Sequence, residues 1–143
     1  MIEEVIEKSL EKSEKDINSI KDNKVIDCIT IFSISDEEYN ILNKELANNR
    51  IIDKMPSGNL YLLNKPLKTI YGDLSFIKIR KHDDSFNTYR ISVDFMVDDY
   101  ETFKARISNP IIKEYDTFEL IQFKKDACII NIISLSAKDD YKI

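Results

Sequence analysis

Apolar residues in the first part of the chain recur at helical spacing. From Ile6 to Ile20 they follow one another at intervals of four and three residues, with Ser13 filling one polar position. This pattern predicts an amphipathic helix over residues 1–23 that carries one narrow apolar stripe on a charged rod. The stripe is suited to packing on a sheet or to a short coiled coil between two subunits, about three heptads long.

The rest of the chain is dominated by short β-branched and apolar runs that are separated by turn residues. Strands are expected at residues 25–34, 51–55, 59–63, 74–80, 88–97, 111–114, 117–123 and 128–135. Pro56, Ser57 and Gly58 form a hairpin turn in this pattern, and residues 64–69, which contain Pro66, read as a connector.

Two shorter helices are expected after the first and the fifth of these strands. Ser35 followed by Glu38 has capping-box spacing and predicts a helix over residues 36–48. A further helix over 100–107 is expected to be capped by Asp98 or Asp99.

Because most of the predicted strands connect as hairpins, the pattern favours an α+β fold. We expect an antiparallel β-sheet of about 5–7 strands, packed by the long N-terminal helix and the two shorter helices. No composition shift or solenoid-period repeat divides the chain, which indicates a single domain over residues 1–143 with a polar, frayed tail at 137–143.

Composition excludes several functional classes. The net charge of -5 argues against binding to nucleic acid, for which basic surface supplies most of the affinity. The charged N-terminus and the lack of an apolar run of about 18 residues predict a cytoplasmic protein without a membrane span.

Residues with characteristic chemistry are scarce. Two glycines are too few for a phosphate-binding glycine-rich loop, so we expect no nucleotide cofactor of that kind. Cys28 and Cys128 lie in apolar runs and are expected to be buried, and with the single histidine, His82, they do not make a zinc site. His82 lies in a polar turn and is expected to be solvated.

The strongest candidate site follows from strand parity in residues 74–80 and 88–97. In the first strand Ile77 and Ile79 share one face, while Lys78 and Arg80 share the other. The second strand has an apolar face and a polar face, and the polar face carries Arg90 and Asp94. If the two strands pair directly, Ile79 lies opposite Tyr89, Ile77 lies opposite Ile91, and Lys78 faces Arg90.

Like charges that face each other across a sheet are destabilising unless something compensates them. The functional interpretation is a site for an anion, formed by Lys78, Arg80 and Arg90, with Asp94 as polar partner and Tyr61 at the mouth of a pocket. The alternative is a solvated outer face whose charges are balanced by neighbouring carboxylates.

Two functions remain open from the sequence. The first is a non-catalytic binding or regulatory protein that acts through a protein partner or a small ligand, such as an inhibitor or anti-defence factor, with a homodimer formed through the N-terminal helix. The second is a small enzyme or carrier that binds an anionic metabolite or nucleotide on the Lys/Arg face. No metal or cofactor is expected in either case, and the lack of a recognisable catalytic set favours the first.

Overall fold

The computed structural model describes residues 1–86 and 89–143. The helices are α1 (Ile2–Asn18), α2 (Asp36–Glu45), α3 (Tyr100–Arg106) and α4 (Ala137–Asp140), with a 3-10 turn at Asp84–Phe86. The strands are β1 (Lys24–Phe32), β2 (Arg50–Met55), β3 (Gly58–Thr69), β4 (Gly72–Arg80), β5 (Ile91–Val97), β6 (Ile112–Glu114), β7 (Glu119–Lys124) and β8 (Ile129–Ile133).

The described residues form one eight-stranded sheet in the order β2-β3-β4-β1-β5-β8-β7-β6. The prediction of an α+β fold is confirmed, whereas the predicted antiparallel sheet of about 5–7 strands is matched only in part, because the sheet has eight strands and includes parallel pairs. β1 pairs with β4 in parallel and β5 pairs with β8 in parallel, so the sheet is mixed. Each parallel pair arises because the chain passes through a helix and two further strands before it returns beside its starting strand.

Two similar units meet at the centre of this sheet. Each unit runs strand, helix, strand, strand, strand, with its first and last strands parallel: β1-α2-β2-β3-β4 and β5-α3-β6-β7-β8. The first strands of the two units, β1 and β5, pair antiparallel, so the units are related by an approximate twofold axis between them. The sequence showed no repeat because this similarity lies in topology.

One face of the sheet packs against α1, α2 and α3. The core on that face contains Ile6 and Ile17 of α1, Leu42 of α2 and Phe103 of α3, together with the fully buried Phe95 of β5. The apolar stripe of α1 is therefore buried against the sheet of its own chain, as one of the two predicted uses of that stripe required.

The predicted helix starts are confirmed. The Ser35 hydroxyl accepts a hydrogen bond from Glu38 N at 3.1 Å, and the Asp99 carboxylate accepts one from Thr102 N at 3.0 Å. The Glu38 carboxylate accepts from Ile34 N rather than from Ser35 N, so the capping box is shifted by one residue.

The hairpin at Pro56, Ser57 and Gly58 is also confirmed. Gly58 adopts φ 149°, and a Cβ atom there would lie 1.9 Å from the Ile79 carbonyl oxygen, so only glycine lets β3 approach β4 so closely. β3 then continues through residues 64–69, which were predicted to be a connector, and an irregularity in register between Leu62 and Leu67 accommodates Pro66.

Residues 137–143 were predicted to be a frayed tail, but Ala137–Asp140 forms helix α4. The predicted start of the fifth strand at Thr88 lies outside the described residues, and the strand is present from Ile91. Within residues 1–86 and 89–143, no helix is both long and apolar enough to cross a lipid bilayer.

Candidate functional site

The face of the sheet opposite α1, α2 and α3 is concave and holds a cavity of about 930 Å³. Residues from all eight strands line this cavity, which we call the trough. A flat sheet of that width would spread its strands over roughly 34 Å, since neighbouring strands lie about 4.8 Å apart. The sheet therefore curls around the trough, whose volume falls within the range of small-molecule sites, about 300–1,000 Å³.

The floor of the trough is formed by rows of residues that run across neighbouring strands. In one row Cys28 of β1 lies between Phe76 of β4 and Asp94 of β5, and Asp94 is followed by Asn131 of β8. The adjacent row consists of Lys78 of β4, Thr30 of β1, Ser92 of β5 and Ile129 of β8.

Asp94 is half-buried in this floor, and Asn131 Nδ2 donates a hydrogen bond to its Oδ1 at 2.9 Å. Burial raises the pKa of Asp94 from 3.8 to about 7, and the nearby Asp27 carboxylate adds to the effect. The hydrogen bond from Asn131 and the charge of Lys78 act in the opposite direction. This carboxyl group therefore exchanges its proton near neutral pH.

Asn131 is held in one orientation by its own hydrogen bonds. Its Nδ2 also donates to Ser92 Oγ at 3.0 Å, and its Oδ1 accepts from Gln122 Nε2 at 3.2 Å. A polar network thus crosses β7, β8 and β5 and positions the Asp94 carboxyl group.

Lys78 is half-buried at the other side of the floor. Its Nζ donates to Ser57 Oγ at 2.8 Å and lies 3.4 Å from Met55 Sδ. Burial and the neighbouring Arg80 lower the pKa of Lys78. The Arg80 guanidinium lies 5.8 Å from the centre of the Phe32 ring, and both of these side chains line the trough.

The structure brings together three of the five predicted site residues. Lys78, Arg80 and Asp94 line the trough, whereas Arg90 and Tyr61 do not. Tyr61 lies in the core on the helix face, where its hydroxyl donates to Asn43 Oδ1 of α2 at 2.6 Å.

Arg90 instead forms a two-pronged ion pair with Glu38 of α2. Its Nη1 and Nη2 donate to the two carboxylate oxygens at 2.5 and 2.7 Å, and Nη1 also donates to the Phe32 carbonyl at 2.9 Å. Burial alone would raise the pKa of Glu38, but the hydrogen bonds from Arg90 and Ile34 N lower it. Arg90 therefore ties α2 to the end of β1 and does not line the trough.

The predicted pairing of the strands that carry Lys78 and Arg90 is wrong. β1 lies between β4 and β5, so Ile31 contacts Ile79 on one side and Ile91 on the other. The predicted alternation of faces within residues 76–80 and 91–95 is right, because the apolar residues of each strand face the helices. Arg90 precedes the start of β5 and does not follow the alternation of that strand.

Helix α4 crosses the trough from the end of β8. Asp27 accepts a hydrogen bond from Ala137 N at 3.0 Å, and Asp53 of β2 accepts one from the Tyr141 hydroxyl at 2.6 Å. Ala137 and Tyr141 also pack against Cys28, Leu60 and Phe76. We call residues 136–143 the strap, since this segment crosses the trough from one unit of the sheet to the other.

Charged groups in the trough are of both signs. The acidic residues that line it are Asp27, Asp53, Asp94 and Asp140, and the basic ones are Lys78, Arg80, Lys113 and Lys124. Among the acids, Asp27, Asp53 and Asp140 accept hydrogen bonds from Ala137 N, Tyr141 and Thr117, respectively.

Sequence reasoning missed Asp27, Asn131 and the strap. A signal for the first two was present, because each is a polar residue inside a β-branched run that otherwise predicts a buried strand. The strap gave no such signal, since a short polar terminal segment looks the same whether it is docked or free.

The two cysteines are buried, and the histidine is in contact with neighbouring residues. Cys28 is buried in the floor of the trough and Cys128 lies in the core on the opposite face, so the two free thiols do not approach each other. Burial raises the pKa of Cys28, which keeps it a thiol rather than a thiolate. His82 was expected to be solvated, but its ring contacts the chain. Its Nδ1 lies 3.1 Å from the Ser33 carbonyl oxygen, and its Nε2 lies 3.0 Å from the Asp84 carboxylate.

Among residues 1–86 and 89–143, no group of three or more His, Cys, Asp and Glu side chains is placed to hold a metal ion.

Comparisons with known proteins establish the fold and leave the function open. No protein-family model matches the chain, and no curated protein matches it. A solved structure described as "Structural Genomics, Protein EC4020" is similar, with a TM-score of 0.69, 9% sequence identity and coverage of 94% of this chain and 86% of that one. At this identity the similarity concerns the arrangement of helices and strands alone.

Proposed function

We propose that this chain is a binding protein for a small organic anion, which occupies the trough with its negative group near Lys78 and Arg80. The observation that carries this proposal is the cavity of about 930 Å³ on the concave face, with Lys78 half-buried in its floor. A half-buried ammonium group loses part of its hydration, and an anionic ligand would compensate for that loss.

The character of the trough lining supports an organic ligand rather than a simple ion. Aromatic side chains line the cavity beside the charged groups: Phe32, Tyr89, Tyr115, Phe118 and Tyr141. Apolar walls with a few convergent polar groups are typical of sites that bind small molecules. Binding alone is proposed, because the Cys28 thiol is kept protonated and His82 interacts with the chain itself.

The other function left open by the sequence, recognition of a protein partner or a second copy through α1, has less support. The apolar residues of α1 are buried on the sheet of the same chain, including Ile6, Leu10 and Ile17. What α1 presents outward is its charged face, which lacks the apolar seam that a coiled coil requires.

The test is titration of the protein with benzoate, phenyl phosphate and AMP, followed by amide chemical shifts and by the shift in melting temperature. At least one of these aromatic anions should bind, and its resonance changes should fall on the strands that line the trough. The variant Lys78→Met, which removes the charge and keeps the length, should weaken binding about tenfold or more, as expected for a charge-assisted hydrogen bond.

Lys68→Met is the matched control, since Lys68 lies on the neighbouring strand β3, is exposed and does not line the trough. This control should bind like the wild type. The proposal is overturned if none of the three anions binds, or if Lys78→Met binds as tightly as Lys68→Met.

A further inference from the structure

The approximate twofold axis can be placed from the sequence numbers of equivalent residues. Ile29 of β1 and Val93 of β5 pair directly and are 64 residues apart, as are the helix caps Ser35 and Asp99. Both features give the same offset, so the axis passes between Ile29 and Val93.

The same offset identifies equivalent positions in the floor of the trough. Thr30 of β1 corresponds to Asp94 of β5. Thr30 pairs with Lys78 in the parallel neighbour β4, and Asp94 pairs with Asn131 in the parallel neighbour β8, so Lys78 corresponds to Asn131. At these two positions, one unit therefore presents a neutral hydroxyl and a cation, and the other presents a carboxyl group and a neutral amide.

The floor is thus polarised across the twofold axis. Lys78 lies two strands from Asp94 and two residues further along the strand direction, which corresponds to roughly 12 Å between their Cα atoms at the usual spacings. A molecule that lies over β1 and β5 would have its two ends near these two charges.

The groups around Asp94 favour a positive or hydrogen-bond-donating partner at its end of the floor. On β1, Asp27 is a second carboxylate and Cys28 is a neutral thiol, while Lys78 on β4 is the cation that acts on Asp94. Asn131 on β8 is neutral, and from the strap Asp140 and Tyr141 line the same cavity. Burial beside Asp27 makes an unpaired charge on Asp94 costly, and a bound cation would relieve that cost.

Resting on the proposed function, we infer that the ligand is dipolar, with an anionic group near Lys78 and Arg80 and an ammonium or similar donor against Asp94. Such a ligand spans the seam between the two units and uses the charge that each unit contributes to the floor. A ligand that carries only a negative charge would leave the Asp94 end without a partner.

This arrangement makes binding depend on pH in a defined direction. The pKa of Asp94 is about 7, so the carboxylate that accepts the ammonium group is mostly present at pH 8 and mostly protonated at pH 6. Affinity for a dipolar ligand should therefore be about tenfold lower at pH 6 than at pH 8, whereas affinity for a matched anion should not fall.

The experiment compares matched pairs of probes by NMR titration. The dipolar probes are 6-aminohexanoate, 8-aminooctanoate and 4-(aminomethyl)benzoate, and their partners without an amine are hexanoate, octanoate and 4-methylbenzoate. At pH 8 at least one dipolar probe should bind about tenfold more tightly than its partner. Asp94→Asn should abolish that advantage and its pH dependence.

Asp73→Asn is the control, because Asp73 is exposed on β4 and does not line the trough. A dispersion of amide resonances like that of the wild type shows that Asp94→Asn is folded. Equal binding of each pair by the wild type, or an advantage that persists in Asp94→Asn, overturns the dipolar ligand and leaves the proposed function standing. If no probe binds and the aromatic anions also fail, both are overturned.

Discussion

Asp94 shows how one residue in a β-strand can couple stability to proton binding. Its side chain lies on the concave face because β5 alternates, with Ile91, Val93 and Phe95 turned toward the helices. On that face burial and the nearby Asp27 carboxylate favour the neutral form of the carboxyl group, and the hydrogen bond from Asn131 offsets this only in part.

The consequence is a loss of stability as the pH rises. The pKa of Asp94 is about 7 in the folded chain and near 3.8 in the unfolded chain, so the folded state holds a proton that the unfolded state has released between those values. The contribution of this group is greatest below pH 4, falls through that window and is lost above pH 7. Asp94→Asn stays neutral at every pH. We predict that its free energy of unfolding rises relative to that of the wild type by about 1–3 kcal/mol when the pH is raised from 5 to 8.

Urea unfolding of both proteins at the two pH values measures this gain directly. Asp73→Asn, which changes an exposed carboxylate, should show no comparable dependence. A constant difference in unfolding free energy between Asp94→Asn and wild type at pH 5 and pH 8 would show that Asp94 titrates normally in the folded chain.

At the scale of elements, local patterns predicted which residues form strands and which way they face, but not which strands are neighbours. Lys78 and Asp94 were placed on a polar sheet face from alternation alone, and both line the trough. Their strands were expected to pair directly, because consecutive strands often do. The insertion of β1 between them depends on contacts between residues far apart in sequence, such as Ile31 with Ile79 and Ile91.

The direction of the Arg90 side chain could not be predicted from the sequence, for a similar physical reason. Strand parity holds only inside a strand, and Arg90 precedes β5, where the backbone is free to direct the side chain toward Glu38. No pattern in the sequence marks Glu38 as the partner, since its spacing from Ser35 is fully explained by helix capping.

The strap contributes Ala137, Asp140 and Tyr141 to the lining of the trough. The Tyr141 hydroxyl donates to Asp53 at 2.6 Å, and this contact joins the end of the chain to the edge strand β2. We predict that Tyr141→Phe destabilises the strap locally, by about 1–2 kcal/mol, because the Asp53 carboxylate loses its donor. Hydrogen exchange of the Tyr141 and Lys142 amides, which bond to Ala137 and Asp139, should accelerate while β1 stays protected.

Tyr115→Phe is a suitable comparison, since Tyr115 also lines the trough but is 53% exposed and stacks on Phe118. Its exchange pattern should match that of the wild type. Unchanged protection of the strap in Tyr141→Phe would mean that the packing of Ala137 and Tyr141, rather than the hydrogen bond, holds this segment in place.

At the scale of the whole molecule, two similar units share one sheet, and the seam between them is the pairing of β1 with β5. The trough spans this seam, since Cys28 and Thr30 lie on one side of it and Ser92 and Asp94 lie on the other. Neither unit alone would supply both walls of the cavity. The ligand-binding capacity that we propose therefore depends on the two units folding as one body.

This dependence can be tested at Ile29, which pairs with Val93 at the twofold axis and is fully buried. Ile29→Ala should lower the free energy of unfolding by about 2–5 kcal/mol, the usual cost of such a cavity in a core. Because Ile29 packs in a core that residues of both units share, amides of β4 and β8 should lose protection from hydrogen exchange to the same extent. Val25→Ala is the control on the same strand. Because Val25 is 58% exposed, this substitution should lower the free energy of unfolding only slightly. If β4 loses protection in Ile29→Ala while β8 keeps it, the two units unfold separately and the seam is an interface between domains rather than the centre of one.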